Sequence, residues 1–148
     1  MDKQNLGKRG EDLAVNFLKK KGYKILDRNF RTSKFGEIDI MALDYSQKSK
    51  IFGFSLPSFI RHLPQFIIGK KSPGATIVFI EVKTKSGDEF GAPEEEFTIF
   101  KKQKMRRAIQ DWFWQKKKET NNWRIDLIAV DFSKNEEEPE IRHYLGCA

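Results

Sequence analysis

The amino-acid sequence predicts an α/β domain in which a mixed central sheet is flanked by helices. Three observations lead there. The elements read in the order α-β-β-β-α-β-β, which needs helices packed on a sheet. The strongest strand pattern, IVFIEVKTK at 77–85, is apolar on both of its faces, as a strand in the middle of a covered sheet must be. The 148 residues, 39% apolar with 13 Phe and 3 Trp, are enough for one well-filled core, so a single domain over 1–148 is expected.

Residues 8–21 read as an amphipathic helix. Leu13, Ala14, Phe17 and Leu18 form its apolar stripe, Lys19, Lys20 and Lys21 load its C-terminal end, and Gly22 stops it. YKILDRNFR (23–31) follows as a strand, then a turn around Ser33 to Gly36. Glu37 to Leu43 alternates, with Ile38, Ile40 and Ala42 on one face and Glu37, Asp39 and Met41 on the other. The 77–85 strand has the faces Ile77/Phe79/Glu81/Lys83 and Val78/Ile80/Val82/Thr84. A Gly- and acid-rich loop (86–96) leads to a second helix over 97–118. RIDLIAVDF (124–132), a solvated acidic turn and a short edge strand, EIRHYL, close the chain.

Residues 45–76 break this rhythm and are expected to form an insertion between the second and third strands. The stretch IFGFSLPSFIRHLPQFIIGKKSPG is apolar and aromatic, but Pro57, Pro64, Arg61 and His62 interrupt it, so no membrane span is expected. An irregular segment packed on the body is the first reading. A loop that docks a partner or a membrane surface is the second, because exposed apolar chain is a liability unless covered.

The net charge is +7 and is unevenly spread: residues 131–148 hold five acids against two basic residues, so the first 130 carry +10. A body this basic suits a polyanionic partner. One cysteine, Cys147, excludes an internal disulfide and a cysteine-built zinc site, and His62 and His143 are too few for a histidine site. With no signal-peptide pattern at the start, the expected location is the cytoplasm.

Four residues suggest chemistry. Glu81 and Lys83 lie two apart on the apolar strand and therefore point the same way, where burying either charge is costly unless it meets a partner or a metal. A strand-end salt bridge would explain that pair alone. Asp39, on the polar face of the neighbouring strand, adds a second carboxylate able to converge with Glu81. Two carboxylates with nearby main-chain carbonyls form a hard-oxygen site suited to Mg²⁺ or Mn²⁺. Lys83 would then serve the attacking water or the charge developing on phosphorus. Glu11 shares the helix face of Ala14 and Leu18; it is either a further acid of the site or a first-turn residue favoured by the helix dipole.

These segments together (GKRGEDLAVNFLKKKGYKILDRNFR, GEIDIMAL, VFIEVKTKS, FGAP, the K-x-x-K-M helix and RIDLIAVDF) resemble the UPF0102, or YraN-like, family, in the family's order and over nearly all the chain outside 45–76. The resemblance implies a restriction-endonuclease-like fold with PD-(D/E)xK motifs, similar to archaeal Holliday-junction resolvases. It implies Asp39, Glu81 and Lys83 as the motif triad, with Glu11 as the acid on the first helix. Two departures stand out. About thirty residues separate GEIDI from EVK where the family has a short turn, and Ile38 rather than proline precedes Asp39.

The 97–118 helix carries eight Lys and Arg against Asp111, a net +7. With Met105, Ile109 and Trp112 or Phe113 turned inward, its cations suit phosphate contact without sequence readout. Lys101 aligns with a lysine of the family and is the first candidate for such a contact, followed by Lys104, Arg106 and Arg107. Trp112, Trp114 and Trp123 could stack on bases, although core packing is the ordinary job of such residues. Arg124 and Asp126 match an R-x-D signature of the family and read as a strand-to-strand pair. The expected function is a metal-dependent endonuclease acting on DNA, including branched or structured DNA. The alternative is a non-catalytic nucleic-acid-binding or adaptor module of the same fold. Resolvase-like enzymes work as homodimers, but no dimer surface is evident in the sequence.

Overall fold

The structure, a computed structural model, describes residues 3–46, 75–86, 93–118, 120–135 and 137–147. The expected 45–76 insertion, apart from its ends, lies outside them, and so does part of the 86–96 loop. Among the described residues seven regular elements occur, in the expected order: α1 (Lys3–Lys20), β1 (Lys24–Thr32), β2 (Gly36–Asp44), β3 (Thr76–Lys85), α2 (Ile99–Gln115), β4 (Trp123–Asp131) and β5 (Glu140–Tyr144), with a 3-10 turn at Pro93–Glu96 before α2. The strands form one mixed sheet in the order β1-β2-β3-β4-β5. All neighbours are antiparallel except β3 and β4, whose parallel pairing runs from Ile77↔Trp123 to Lys85↔Asp131. This is an α/β fold of the restriction-endonuclease-like kind.

Each helix covers one face of the sheet. On the α1 face, Leu6, Ala14, Val15 and Leu18 pack on Ile40, Ala42, Val78, Ile80, Ile128 and Val130. On the α2 face, Met105, Ala108, Ile109 and Trp112 pack on Met41, Ile77, Phe79, Ile125 and Leu127. The central strand β3 feeds both clusters, which is why its sequence is apolar on both sides.

The helix ends explain where the sequence-based limits were off. α1 starts at Lys3, five residues earlier than expected. It stops at Gly22, whose φ of 86° allows a left-handed cap: the Gly22 amide donates to Lys19 O and the Tyr23 amide to Leu18 O. α2 starts at Ile99 because Thr98 caps it, its hydroxyl accepting from the Lys101 amide. At its other end Lys117 and Lys118 repeat the pattern of α1, with Lys117 at φ 48° in the place glycine usually fills. Gly10 fixes how closely α1 approaches the sheet, since a Cβ there would collide with Thr84 Cγ2.

One expectation about β2 fails. Ile38 does not join Ile40 and Ala42 but packs in the α2-side cluster with Met41. Strict alternation is lost at Asp39, where the partner strand β1 departs from extended geometry. The register shifts between Ile25 and Asp27, and Asn29, across from Asp39, has a left-handed φ of 52°. The β2–β3 pairing also stops at this level: it runs from Asp44↔Thr76 to Ile40↔Ile80, one step short of Asp39 and Glu81.

Candidate active site

The end of the β2–β3 pairing leaves two acids side by side in the interior. Asp39 and Glu81 are 7% and 2% exposed. The Val82 amide donates to Asp39 Oδ2 at 2.7 Å, so this carboxylate takes a backbone donor of the adjacent strand. Burial, then the charge of Glu81, and further Glu11, push the Asp39 carboxyl up from 3.8 to about 7, against the pull of the Val82 amide and Lys101.

Glu81 is held by two lysines. Lys83 Nζ lies 3.4 Å and Lys101 Nζ 3.1 Å from Glu81 Oε1. The first contact follows from strand alternation. The second brings the first turn of α2 down onto the sheet, so Lys101 sits in the site rather than on the outer face of its helix. Glu81 Oε2 is buried and, among the described residues, has no hydrogen-bond partner. A buried acceptor without a donor is costly, and a cation or a water would relieve that cost. Beside Lys101 a cavity of about 260 Å³, lined also by Arg31, Thr32, Gly36 and Glu37, opens to solvent.

Glu11 is near but stands apart. It lies in the third turn of α1, not the first, so the helix dipole does not account for it. Its charge reaches Asp39, while Arg28 Nη2 stands 3.8 Å from Glu11 Oε2 and 2.7 Å from Asp12 Oδ1. Among the described residues, no three His, Cys, Asp or Glu side chains are gathered closely enough to hold one metal ion. Arg28 and Asn29, on the β1 edge of the site, were not singled out from the sequence; the polar run Asp27-Arg-Asn inside a strand was the available signal.

The exposed cations of α2 divide from Lys101. Lys104, Arg106 and Arg107 face solvent, with Lys104 Nζ 4.7 Å over the Phe100 ring and Arg107 5.7 Å over Phe35. Trp112 is buried at 1% and Trp123 half-buried, whereas Trp114 is 80% exposed.

Arg124 and Asp126 pair along one strand rather than between strands, Arg124 Nε lying 2.9 Å from Asp126 Oδ1. They anchor a buried polar network: Arg124 also reaches Asp44 Oδ2 (2.9 Å) and the Tyr23 hydroxyl (3.1 Å), and Asp126 meets His143 Nε2 and the Gly146 amide, each at 2.9 Å. Burial alone would raise the Asp126 carboxyl, but His143, Arg124 and the Gly146 amide hold it below the usual carboxylate range. The network ties α1's exit, β2, β4, β5 and the C-terminal segment together, which is a structural role.

The model of the uncharacterised protein family UPF0102 matches residues 10–130, a span that includes Glu11, Asp39, Glu81, Lys83, Lys101, Arg124 and Asp126. The chain belongs to the UPF0102 family. A UPF0102 protein of Caldicellulosiruptor saccharolyticus is 38% identical over 138 residues, covering 92% of this chain and 91% of that protein. UPF0102 proteins from Geotalea daltonii (36% identical over 142 residues, 96% of this chain and 87% of that protein covered) and Thermodesulfovibrio yellowstonii (38% over 136 residues, 92% and 94% covered) are similar too. The β5 strand with His143 lies beyond the stretch matched by the family model. Among the described residues, no helix is long and apolar enough to cross a membrane.

Proposed function

We propose that this UPF0102 protein is a divalent-metal-dependent endonuclease that hydrolyses phosphodiester bonds in DNA, including branched or structured DNA. The observation that carries the reading is the buried Asp39–Glu81 pair at the end of the β2–β3 ladder, with Glu81 Oε2 lacking a partner among the described residues and the Asp39 carboxyl pushed up to about 7. Two adjacent buried carboxylates suit a hard cation, and Mg²⁺ or Mn²⁺ would be held by Asp39 and Glu81. Such an ion, when bound, would polarise a phosphodiester oxygen and acidify water. Lys83 and Lys101 would orient the attacking water and stabilise negative charge on the phosphoryl oxygens. The Val82 amide fixes the direction of Asp39, and Glu11 acts on Asp39 through its charge. The exposed cations of α2 would bring the phosphate backbone to the site.

A second reading, a non-catalytic DNA-binding or adaptor module, draws on one feature: Lys83 and Lys101 together already neutralise one oxygen of Glu81. Incubating linear, supercoiled and four-way DNA with the protein and Mg²⁺ or Mn²⁺ separates the two. Nicking that disappears in Asp39→Ala and Lys83→Ala supports the nuclease. Cleavage unchanged in both variants refutes the site, and salt-dependent binding with no cleavage leaves the adaptor.

A further inference from the structure

Among the described residues four large apolar side chains stand in solvent: Ile99 (76% exposed), Phe100 (66%), Trp114 (80%) and Leu145 (62%). Three of the four are on α2, the most basic element of the chain, where solvated side chains would be expected. Phe100 and Trp114 are fourteen positions apart, so helical periodicity returns them to nearly the same side, separated by about 21 Å along the axis. Between them, one and two turns from Phe100, lie the exposed Lys104 and Arg107, followed one turn later by the half-buried Asp111, the one acid of α2. Trp114 also borders a cavity of about 750 Å³ that it shares with Phe113, Gln115, Lys117 and Lys118. There an aromatic wall meets two ammonium groups. Lys117 stands at a left-handed φ of 48°, where glycine would be the less strained residue.

We infer that the outer face of α2 is a track for an unpaired stretch of DNA, leading from the acids at Lys101 to a base seated on the Trp114 ring. The charges select the occupant. An apolar protein partner would meet Lys104 and Arg107 in the middle of the stripe and have to desolvate them, whereas a nucleic-acid strand supplies a phosphate for each cation and a π-face for each ring. A continuous duplex hides its base faces in the stack and would engage the cations alone. The spacing of the rings, about 21 Å, corresponds to roughly six stacked nucleotides at 3.4 Å per step. The inference rests on the reading of the protein as DNA-acting and names the part of a substrate it would grip: a single-stranded gap, flap or branch point next to the bond to be cut.

The test is optical and needs no cleavage. The full chain in EDTA is titrated with oligothymidylate and, separately, with a blunt duplex, reading tryptophan emission and the anisotropy of labelled DNA. Stacking on a base quenches an exposed tryptophan, so oligothymidylate should quench the emission and the duplex should not. Trp114→Phe should remove most of that quenching, leaving Trp112 and Trp123. Trp114→Ala should weaken oligothymidylate binding roughly five- to hundredfold while duplex affinity changes by less than about twofold. Equal quenching in Trp114→Phe, or equal weakening of both DNAs in Trp114→Ala, overturns the track. So does a blue-shifted emission in the free protein that acrylamide cannot reach, which would mean the chain itself covers Trp114. If the track fails while metal-dependent nicking still requires Asp39 and Lys83, the nuclease reading stands. Quenching by a protein that never cuts supports the track and refutes the nuclease.

Discussion

Replacing Asp39 with asparagine should make the metal-free protein more stable, by an amount that grows with pH. In the folded protein the Asp39 carboxyl is pushed up from 3.8 to about 7, first by burial and then by the charge of Glu81. In the unfolded chain it returns to its ordinary value. A proton held more tightly in the folded state costs no stability below the unfolded pKa. The cost then rises through the interval up to the folded pKa and levels off above it. Each unit is worth about 1.4 kcal/mol, so the penalty should grow by roughly 2–3 kcal/mol between about pH 5 and pH 7. Asparagine has the same shape, carries no charge and can still accept from the Val82 amide through its Oδ1. Thermal unfolding in EDTA, followed for both proteins from about pH 5 to pH 8.5, should show a gap in Tm that widens by on the order of 5–10 °C. Millimolar Mg²⁺ or Mn²⁺ should raise the Tm of the unsubstituted protein at the upper end of that range and leave Asp39→Asn nearly unmoved. A gap independent of pH, or an asparagine variant less stable at high pH, would refute the reasoning, because it would mean that Asp39 is ionised in the folded protein without cost.

Three further outcomes follow from the packing. Gly10→Ala places a methyl against Thr84 Cγ2; it should cost about 1–3 kcal/mol in urea unfolding, and Gly10→Ala/Thr84→Ser should recover most of it. Lys117→Gly removes the strain of a left-handed lysine at the end of α2; a gain of about 0.5–1 kcal/mol is expected after the greater freedom of glycine in the unfolded chain is allowed for, together with weaker oligothymidylate binding. Asp126→Asn should cost about 1–3 kcal/mol, since it removes one of the two carboxylates held 2.9 Å from the half-buried Arg124 and leaves Asp44 as the other. The Asp126 carboxyl is held below its ordinary value, so its contribution is present above the unfolded pKa and fades as the pH falls through the folded one. The difference from the unsubstituted protein should therefore shrink in strong acid.

The parts of this fold that were legible in the sequence are those set by local periodicity. Alternation along 77–85 puts Glu81 and Lys83 on one side, and the 3.4 Å contact between them needs nothing more. The order of the elements and the cap at Gly22 are equally local. What tertiary placement decides was not legible. Of the consecutive aromatics Trp112, Phe113 and Trp114, helical spacing turned Trp112 or Phe113 inward without choosing between them; the packing of α2 on Phe79 buries Trp112, half-buries Phe113 and leaves Trp114 in solvent. The fate of Ile38 was hidden because alternation presumes a regular ladder, and the left-handed Asn29 lies on a different strand. Glu11 looked like a first-turn acid only because the start of its helix was placed too late.

Lys101 joins the two halves of the molecule's electrostatics. The basic body would be enough for adsorption to DNA, and the acid pair alone would repel it. α2 resolves that conflict by its direction: its first turn carries Lys101 onto Glu81, while its next turns hold Lys104 and Arg107 in solvent. Phosphates gathered along the outer face would thus be led towards carboxylates whose charge is already partly cancelled, by Lys83 and Lys101 on Glu81 and by proton uptake on Asp39. Affinity and cleavage should therefore separate by residue. Neutralising Lys104 or Arg107 should weaken DNA binding and lower the slope of log affinity against log salt by about one each. Neutralising Lys101 also leaves Glu81 with Lys83 alone, so its effect should appear in turnover at saturating DNA as well as in binding.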